Sequence, residues 1–590
     1  MINNLFVSFI NLFHKLKQYA LNEINTGLLL FLILMANHRY YFKLIAILLF
    51  FVIHRGIKIK KEKINIFYIL MIAIAVINFF LEGVDMSVKY GIVVFAGSLF
   101  WILNLLVHNQ ISYFVDNNKY NTLVNTLKVF IILNFLISFY DLIQVMFITQ
   151  TINPYTAITI PPPYGSMSGD LIRGFFGINH LPNACVAGLL FIFFLYKKEF
   201  LISCLSLLTL LMASSNLTVI LVFIVLISMI LLVKDKLVKY YSICAIAILL
   251  AFYAKINTFN YYEILCKFHL AKTNEFYQQT YNDVFSEKDP AAIKNQEIDS
   301  ILSTWEKSTI DRYNRKEKNI RKDHDTYHKQ SYTFLKTTTD TSLVHPDTSL
   351  ITSEPTVIEP TITEPVITGH LTKVNPKEQI KNKNKEQIKN NFHKIWNRTD
   401  SLKVIADSKE EFEFGQLKKF DLENTKGHVI SLNQTKELLL RDTKHFLFGN
   451  GVGNFSSRIA MLSSKEKEDS RLFDLLLPKY EHKDFTENHK ALWKYIDYLG
   501  TEYHSFINLP FSVYNQILGE YGIIGFLCFG IFYIGYFLRK WRRLEAGKFI
   551  LPIIILMMGI EYWFESLTLL IFFELVMLID LKSTKIENNE

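Results

Sequence analysis

Long runs of apolar residues, parted by short basic turns, leave this chain few ways to fold. The runs lie near 24–36, 41–54, 64–80, 90–107, 125–148, 183–196, 200–213, 217–233 and 240–254, and again near 520–538, 549–563 and 565–581. Hydrocarbon offers no partner to a backbone N–H or C=O, so such runs cross a bilayer as helices whose hydrogen bonds close internally. Several are shorter than the roughly 20 residues of a straight span. Tilt, flanking aromatics or local thinning of the bilayer makes up the length. A water-soluble globule is excluded, because a content of 50% hydrophobic and 14% aromatic residues is gathered into these runs. The expected fold class is an all-α integral membrane protein with about twelve transmembrane helices.

A polar interval from about Ala254 to about Leu509 divides the chain. Residues 1–254 then form an N-terminal transmembrane bundle, 255–509 a large and mainly helical loop, and 510–590 a C-terminal bundle with its tail. Charge sets the sidedness. Arg55, Lys58, Lys60, Lys61 and Lys63 follow the second run, and Lys197 and Lys198 follow the sixth. Lys234, Lys236 and Lys239 follow the eighth, and Arg539, Lys540, Arg542 and Arg543 the tenth. Strict alternation of spans puts all four clusters on one face, which the positive-inside rule makes cytoplasmic. Both termini then lie inside, while the large loop, the segment 149–182 and the Glu82–Lys89 turn face outward. The net charge of +9 is explained by this orientation, and no nucleic-acid partner is implied.

Residues 1–22 place Ile2, Leu5, Phe6, Phe9, Phe13 and Leu16 at helical spacing beside Lys15 and Lys17. That fits a helix in the headgroup region or the first turn of the first span, and no removed signal peptide is expected. Within the loop, 337–391 is low in complexity: Glu354-Pro355, Glu359-Pro360 and Glu364-Pro365 recur, and the string at 377–382 returns at 385–390. Such a segment buries too little apolar surface to offset its ordering entropy and reads as a disordered insertion. Cys266 is the only loop cysteine, so no disulfide within the loop and no metal-binding cysteine pair is expected.

Three constellations carry chemistry. The first is Arg173-Gly174-Phe175-Phe176-Gly177, leading through His180, Pro182 and Asn183 into a span. The Arg173 fork suits phosphate oxygens, against the plainer reading of a headgroup anchor; His180 reads as a surface histidine and Asn183 as a helix N-cap. The second is the turn Gly449-Asn450-Gly451-Val452-Gly453, flanked by Arg441 and Arg458. Alternate glycines let amides turn outward to hold a phosphate or sugar oxygen, although a tight turn needs the same residues. The third runs from His504 through Ser512 to Glu520-Tyr521-Gly522 and Gly525. Glu520 inside a span is a functional candidate by its cost, or else an internal pair or cap at a broken helix near Gly522. His504 titrates near working pH and suits a general base, although a lone loop histidine is ordinarily just solvated.

Taken in this order, Arg173 with Gly177, Pro182 and Asn183, then Gly449, Gly451 and Gly453, then Glu520, Gly522 and Gly525 resemble the O-antigen ligase and O-antigen polymerase superfamily. The chain departs from the ligases, which carry a His-Asn pair where Phe511-Ser512 stands, and from the frequent Ser-Arg where Ser215-Asn216 stands. The resemblance therefore leans to the polymerase-like branch. It implies a GT-C-like bundle in the bacterial inner membrane, with the loop in the periplasm. It also implies metal-independent, cofactor-free glycosyl transfer from an undecaprenyl-diphosphate-linked oligosaccharide to a glycan or lipid A core acceptor. In that scheme Arg173, with Arg441 or Arg458, meets the diphosphate as the bond breaks; Gly449, Gly451, Gly453 and Ser512 line the substrate, and His504 or Glu520 serves as base. A transporter or flippase is the rival class, disfavoured because the spans read as nearly free of ionisable groups, with Lys43 and Glu520 near ends. A membrane sensor suits the insertion but leaves Arg173 and Glu520 unexplained.

Overall fold

A computed structural model describes residues 23–37, 39–54, 59–81, 87–149, 152–155, 171–177, 180–257, 261, 425–465, 477–499 and 508–587. Residues 1–276 and 407–590 group into one compact unit. The second unit, 277–406, lies outside the described residues, and with it the 337–391 segment.

No strand occurs among the described residues. The apolar runs become α1 (Thr26–Ala36), α2 (Tyr40–His54), α3 (Lys63–Leu81), α4 (Val88–Asn117), α5 (Tyr120–Thr149), α6 (His180–Tyr196), α7 (Phe200–Ala213), α8 (Asn216–Leu232) and α9 (Lys236–Lys255). The loop contributes α10 (Gly427–Leu439), α11 (Thr443–Phe448), α12 (Arg458–Ser463) and α13 (Ala491–Leu499). The C-terminal part holds α14 (Val513–Cys528), extended by a wider π turn over Phe529–Ile534, then α15 (Gly547–Met557) and α16 (Thr568–Glu587). Five helical stretches, namely α3, α4, α5, α9 and Val513–Arg543, are long and apolar enough to cross a membrane. The protein is thus all-helical over its described residues, with helices of membrane-spanning length and composition.

Outward faces explain why lipid suits this bundle. In α8, Val222 is buried against the core, yet the outward Leu231 and Leu232 are 72% exposed and equally apolar. A helix that is hydrophobic all round is stable only when every face meets protein or hydrocarbon.

The expected run over 90–107 proves too short, because α4 continues to Asn117 through polar residues that find partners inside the bundle. Ser87 starts the helix by accepting from the Tyr90 amide at 3.1 Å. Asn104 Nδ2 donates to Phe564 O at 2.6 Å, and Asn109 and Asn65 exchange amide hydrogen bonds at 3.1 Å. The helices that form from the expected spans are also richer in ionisable groups than expected: His108, Glu574 and Asp580 are 0%, 2% and 0% exposed in α4 and α16. The run expected over 549–563 stops at Met557, where the chain turns before a short helix at Trp563–Ser566.

All four basic clusters meet at one end of the bundle. Tyr536, just before Arg539 and Lys540, donates to Glu62 beside Lys61 and Lys63 at 2.9 Å. Lys197 pairs with Glu545, which follows Arg543, and Lys198 pairs with Asp235 between Lys234 and Lys236. Helix α4 runs from this end, where Lys60 pairs with Asp116, to the opposite end, where Gly97 packs on Val452 of the glycine turn.

Candidate functional site

The site is built on a break in α14. Gly522 takes φ 65° and ψ −165°, so the helical ladder is interrupted there and carbonyls one turn earlier lose their partners. The glycine turn of the loop supplies replacements. Asn450 N donates to Gly519 O at 2.8 Å and Gly451 N to Glu520 O at 3.2 Å. Asn78 on α3 closes the joint, donating to Glu520 O at 3.1 Å and to Phe448 O at 2.6 Å. Gly449 and Gly522 meet backbone to backbone: a Cβ on Gly449 would lie 2.7 Å from Gly522 N, and one on Gly522 would lie 2.6 Å from Gly449 N. Two glycine motifs far apart in sequence therefore form a single joint.

This joint fixes Glu520, which is fully buried. Its Oε1 accepts from Ser456 N at 3.1 Å and from Phe455 N at 3.5 Å, and the Ser457 hydroxyl lies beside it. Its Oε2 has no hydrogen-bond partner among the described residues. Two amides just after the glycine turn thus hold the chain's own carboxylate, while the turn's Asn450 and Gly451 amides are engaged by the backbone carbonyls of α14.

A second buried carboxylate stands close by. Glu565 Oε2 accepts from Arg458 N, capping α12, and Tyr40 OH donates to Glu565 O at 3.0 Å. The Arg458 guanidinium carbon lies 5.6 Å from the centre of the Tyr40 ring. Tyr562 OH and Ser456 Oγ share a hydrogen bond of 3.1 Å, and Lys43 Nζ donates to Thr568 Oγ1 at 2.9 Å and to Ser566 O. Two carboxyl groups, a lysine amine, two phenols and the half-buried Arg458 therefore gather around residues 455–458.

The loop side is tied down by ions. Arg441 binds Asp484 with both prongs of its fork, at 2.9 and 2.7 Å, so its paired edge is not open to a diphosphate. Burial raises the Asp484 carboxyl, but the Arg441 guanidinium outweighs it and leaves Asp484 below the usual carboxylate range. Asp484 also accepts from Asn450 Nδ2 at 3.0 Å, which links the pair to the glycine turn. The His445 ring lies between Asp442 Oδ2 at 2.6 Å and Asn450 Oδ1 at 3.2 Å.

Arg173 belongs to another cluster. Its backbone N–H and that of Gly174 both donate to Asp141 Oδ2 at 2.9 Å, and its Nε is buried without a hydrogen-bond partner among the described residues. Gly174, at φ 55°, leaves room for Asn134, Ser138 and Asn183. Asn183 is no N-cap: α6 begins at His180, Pro182 occupies the first turn where its missing N–H costs nothing, and Asn183 is held by Asn134 Nδ2 at 2.8 Å. Helix α5 carries Lys128 near the basic end, paired with Glu199, so Asp141, more than three turns further along, places Arg173 towards the opposite end, with the glycine turn.

The structure thus joins Glu520 to Gly449, Gly451 and Gly453, and brings Arg458 beside Glu565. Ser512 caps α14, accepting from Tyr514 N at 3.1 Å. His504 lies outside the described residues. Sequence reasoning missed Glu565, Tyr562 and Asn78, although Glu565 in Tyr562-Trp563-Phe564-Glu565 carries the same signal as Glu520, a carboxylate in an apolar run. Compared with protein-family models, curated proteins and solved structures, the chain matches none.

Proposed function

We propose that this chain is a membrane-embedded glycosyltransferase of about twelve spans, with both termini cytoplasmic and its site on the periplasmic face of the bacterial inner membrane. It moves a glycan from an undecaprenyl-diphosphate donor to an acceptor hydroxyl, as an O-antigen polymerase does; transfer to lipid A core, as by a ligase, is the variant reading. The observation that carries this is the pairing of a buried carboxylate oxygen without a partner among the described residues, Glu520 Oε2, with the Arg458 and Glu565 cluster at the end opposite the basic residues.

In this reading the acceptor oxygen attacks the anomeric carbon from the face opposite the diphosphate and gives its proton to Glu520 Oε2. The bond from that carbon to the diphosphate oxygen breaks, its electron pair goes to the leaving diphosphate, and the configuration inverts. Arg458 and Arg173 offset the charge that develops there. The glycine turn keeps a positioning role, because its Asn450 and Gly451 amides hold the backbone of Gly519 and Glu520 at the break. His504 stands as the alternative base.

The test is conversion of undecaprenyl-diphosphate oligosaccharide by the purified chain. Wild type yields longer glycan, while Arg173→Ala and Glu520→Gln, expressed at normal levels, lose it. Unchanged conversion in both variants refutes the reading. Cells lacking the gene separate the variants: single repeats on lipid A core mean a polymerase, and bare core with long chains on the carrier means a ligase.

A further inference from the structure

A second buried cluster lies near the basic end, and the glycosyl-transfer reading does not use it. Tyr533, which belongs to it, is thirteen residues beyond Glu520, past the break at Gly522 and within the π turn that extends α14. At its centre is His108 on α4, between two carboxylates from different elements. Its Nδ1 lies 2.7 Å from Glu574 Oε2 on α16, and its Nε2 lies 3.6 Å from Glu62 Oε2 at the start of α3. The other oxygen of Glu574 is filled by Tyr68 OH at 2.6 Å and Tyr533 OH at 3.0 Å. Because both phenols fill Oε1, Oε2 is left to the His108 ring, and it shares one hydrogen with Nδ1 across 2.7 Å.

The other ring nitrogen decides the matter. Nε2 is buried without a hydrogen-bond partner among the described residues, yet it faces a carboxylate oxygen. A bare Nε2 there sets one lone pair against another, a contact that is relieved when a proton enters between Nε2 and Glu62. Glu62 is also within reach of water, with 24% of its side chain exposed. Tyr536 OH and Ser112 Oγ hold it at 2.9 and 3.3 Å, and Lys540 lies 3.5 Å from the Tyr536 ring centre. Lys60, hydrogen-bonded to Ser112 and paired with Asp116, completes the charged rim.

We propose that Glu62, His108 and Glu574 form a proton-binding relay that opens to water at the basic end of the bundle and ends at Glu574. A proton from water reaches Glu62 and passes to His108 Nε2, giving a ring with hydrogens on both nitrogens. The Nδ1 hydrogen then crosses to Glu574 Oε2, leaving a neutral imidazole and a neutral carboxylic acid. One proton is gained and no bare charge remains in the core. Ionisable groups with this placement inside a membrane bundle serve as proton paths. The site stands whether or not the chain transfers glycans.

Infrared difference titration of the full chain in nanodiscs, with histidine rings isotopically labelled, tests the relay. A ring signal and a carboxyl signal are expected to titrate together in wild type, and the carboxyl signal to vanish in Glu574→Gln. After a pH jump, Glu62→Gln is expected to slow proton uptake at the ring roughly tenfold or more while keeping its amplitude. If Glu62→Gln takes up the proton at the wild-type rate, or Glu574→Gln retains the coupled carboxyl signal, the relay is wrong. Should Glu574→Gln fail to fold, the Glu62→Gln rate alone decides.

Discussion

Replacing Gly522 by alanine puts the central joint to a quantitative test. At φ 65° and ψ −165°, Gly522 occupies a region essentially closed to residues with a Cβ. Holding alanine there costs about 1–3 kcal/mol. The new Cβ would also stand 2.5 Å from the carbonyl carbon and oxygen of Leu447 and 2.6 Å from Gly449 N, all backbone atoms unable to swing aside. Overpacking of this kind adds about 1–3 kcal/mol. The sum, about 2–6 kcal/mol, is a large share of an ordinary folding free energy, and at roughly 2–4 °C per kcal/mol it lowers the unfolding midpoint by on the order of 5–20 °C. Gly530, eight residues on, is the matched control, because a Cβ there meets nothing within 4 Å. Thermal unfolding of the purified chain in detergent compares the two. Gly530→Ala is expected to match wild type or exceed it slightly. A Gly522→Ala midpoint equal to wild type would falsify the reasoning, since neither the strain nor the collision could then exist.

Glu520→Gln keeps an acceptor for the Ser456 amide but removes the base, so glycan transfer should fall roughly 10²–10⁴-fold with the unfolding midpoint little changed; equal transfer rates argue against Glu520 as base. Asp484→Ala removes the 3.0 Å acceptor of Asn450 Nδ2, which keeps Asn454 O at 3.2 Å, for a loss of about 0.5–1.5 kcal/mol in thermal unfolding, whereas half-exposed Arg441 turns to water at little cost. Burial lowers His489 from 6.5 to about 4, and stability is therefore full above pH 6.5 and falls as pH drops towards 4. The loss approaches about 3 kcal/mol by linkage, and a His489→Gln variant that keeps the same acid limb in unfolding-versus-pH curves rules this out.

How much of this could be read beforehand depends on the range of the interaction. Helices α6, α7 and α8 were legible because apolar runs state their own burial. The end of α4 was not, since Asn104, His108 and Asn109 read as polar while their partners Phe564, Glu574 and Asn65 lie on other helices. Glu520 was legible as a costly carboxylate, and the break at Gly522 was among its expected explanations. That Gly449 fills the break was not, because nothing local records a contact across more than seventy residues. Arg441 shows the same limit, its role being set by Asp484 forty-three residues on.

The buried carboxylates make a sharper point about reading membrane sequences. Glu520, Glu565 and Glu574 all interrupt apolar stretches, and cost alone marks each as a candidate. Their surroundings then separate them. Glu574 is saturated by two phenols and an imidazole, an arrangement suited to holding or passing a proton. Glu565 receives the Arg458 amide and caps α12, so it positions the segment that carries Ser456 and Arg458. Of these three, only Glu520 keeps an oxygen that nothing among the described residues occupies, a state that Asp580 Oδ1 shares. An acceptor hydroxyl arriving there would supply the missing donor, and its proton would have somewhere to go. Binding and deprotonation would then share one atom, Oε2, whereas a purely structural Glu520 would be expected to bring both oxygens into hydrogen bonds, as Glu574 does.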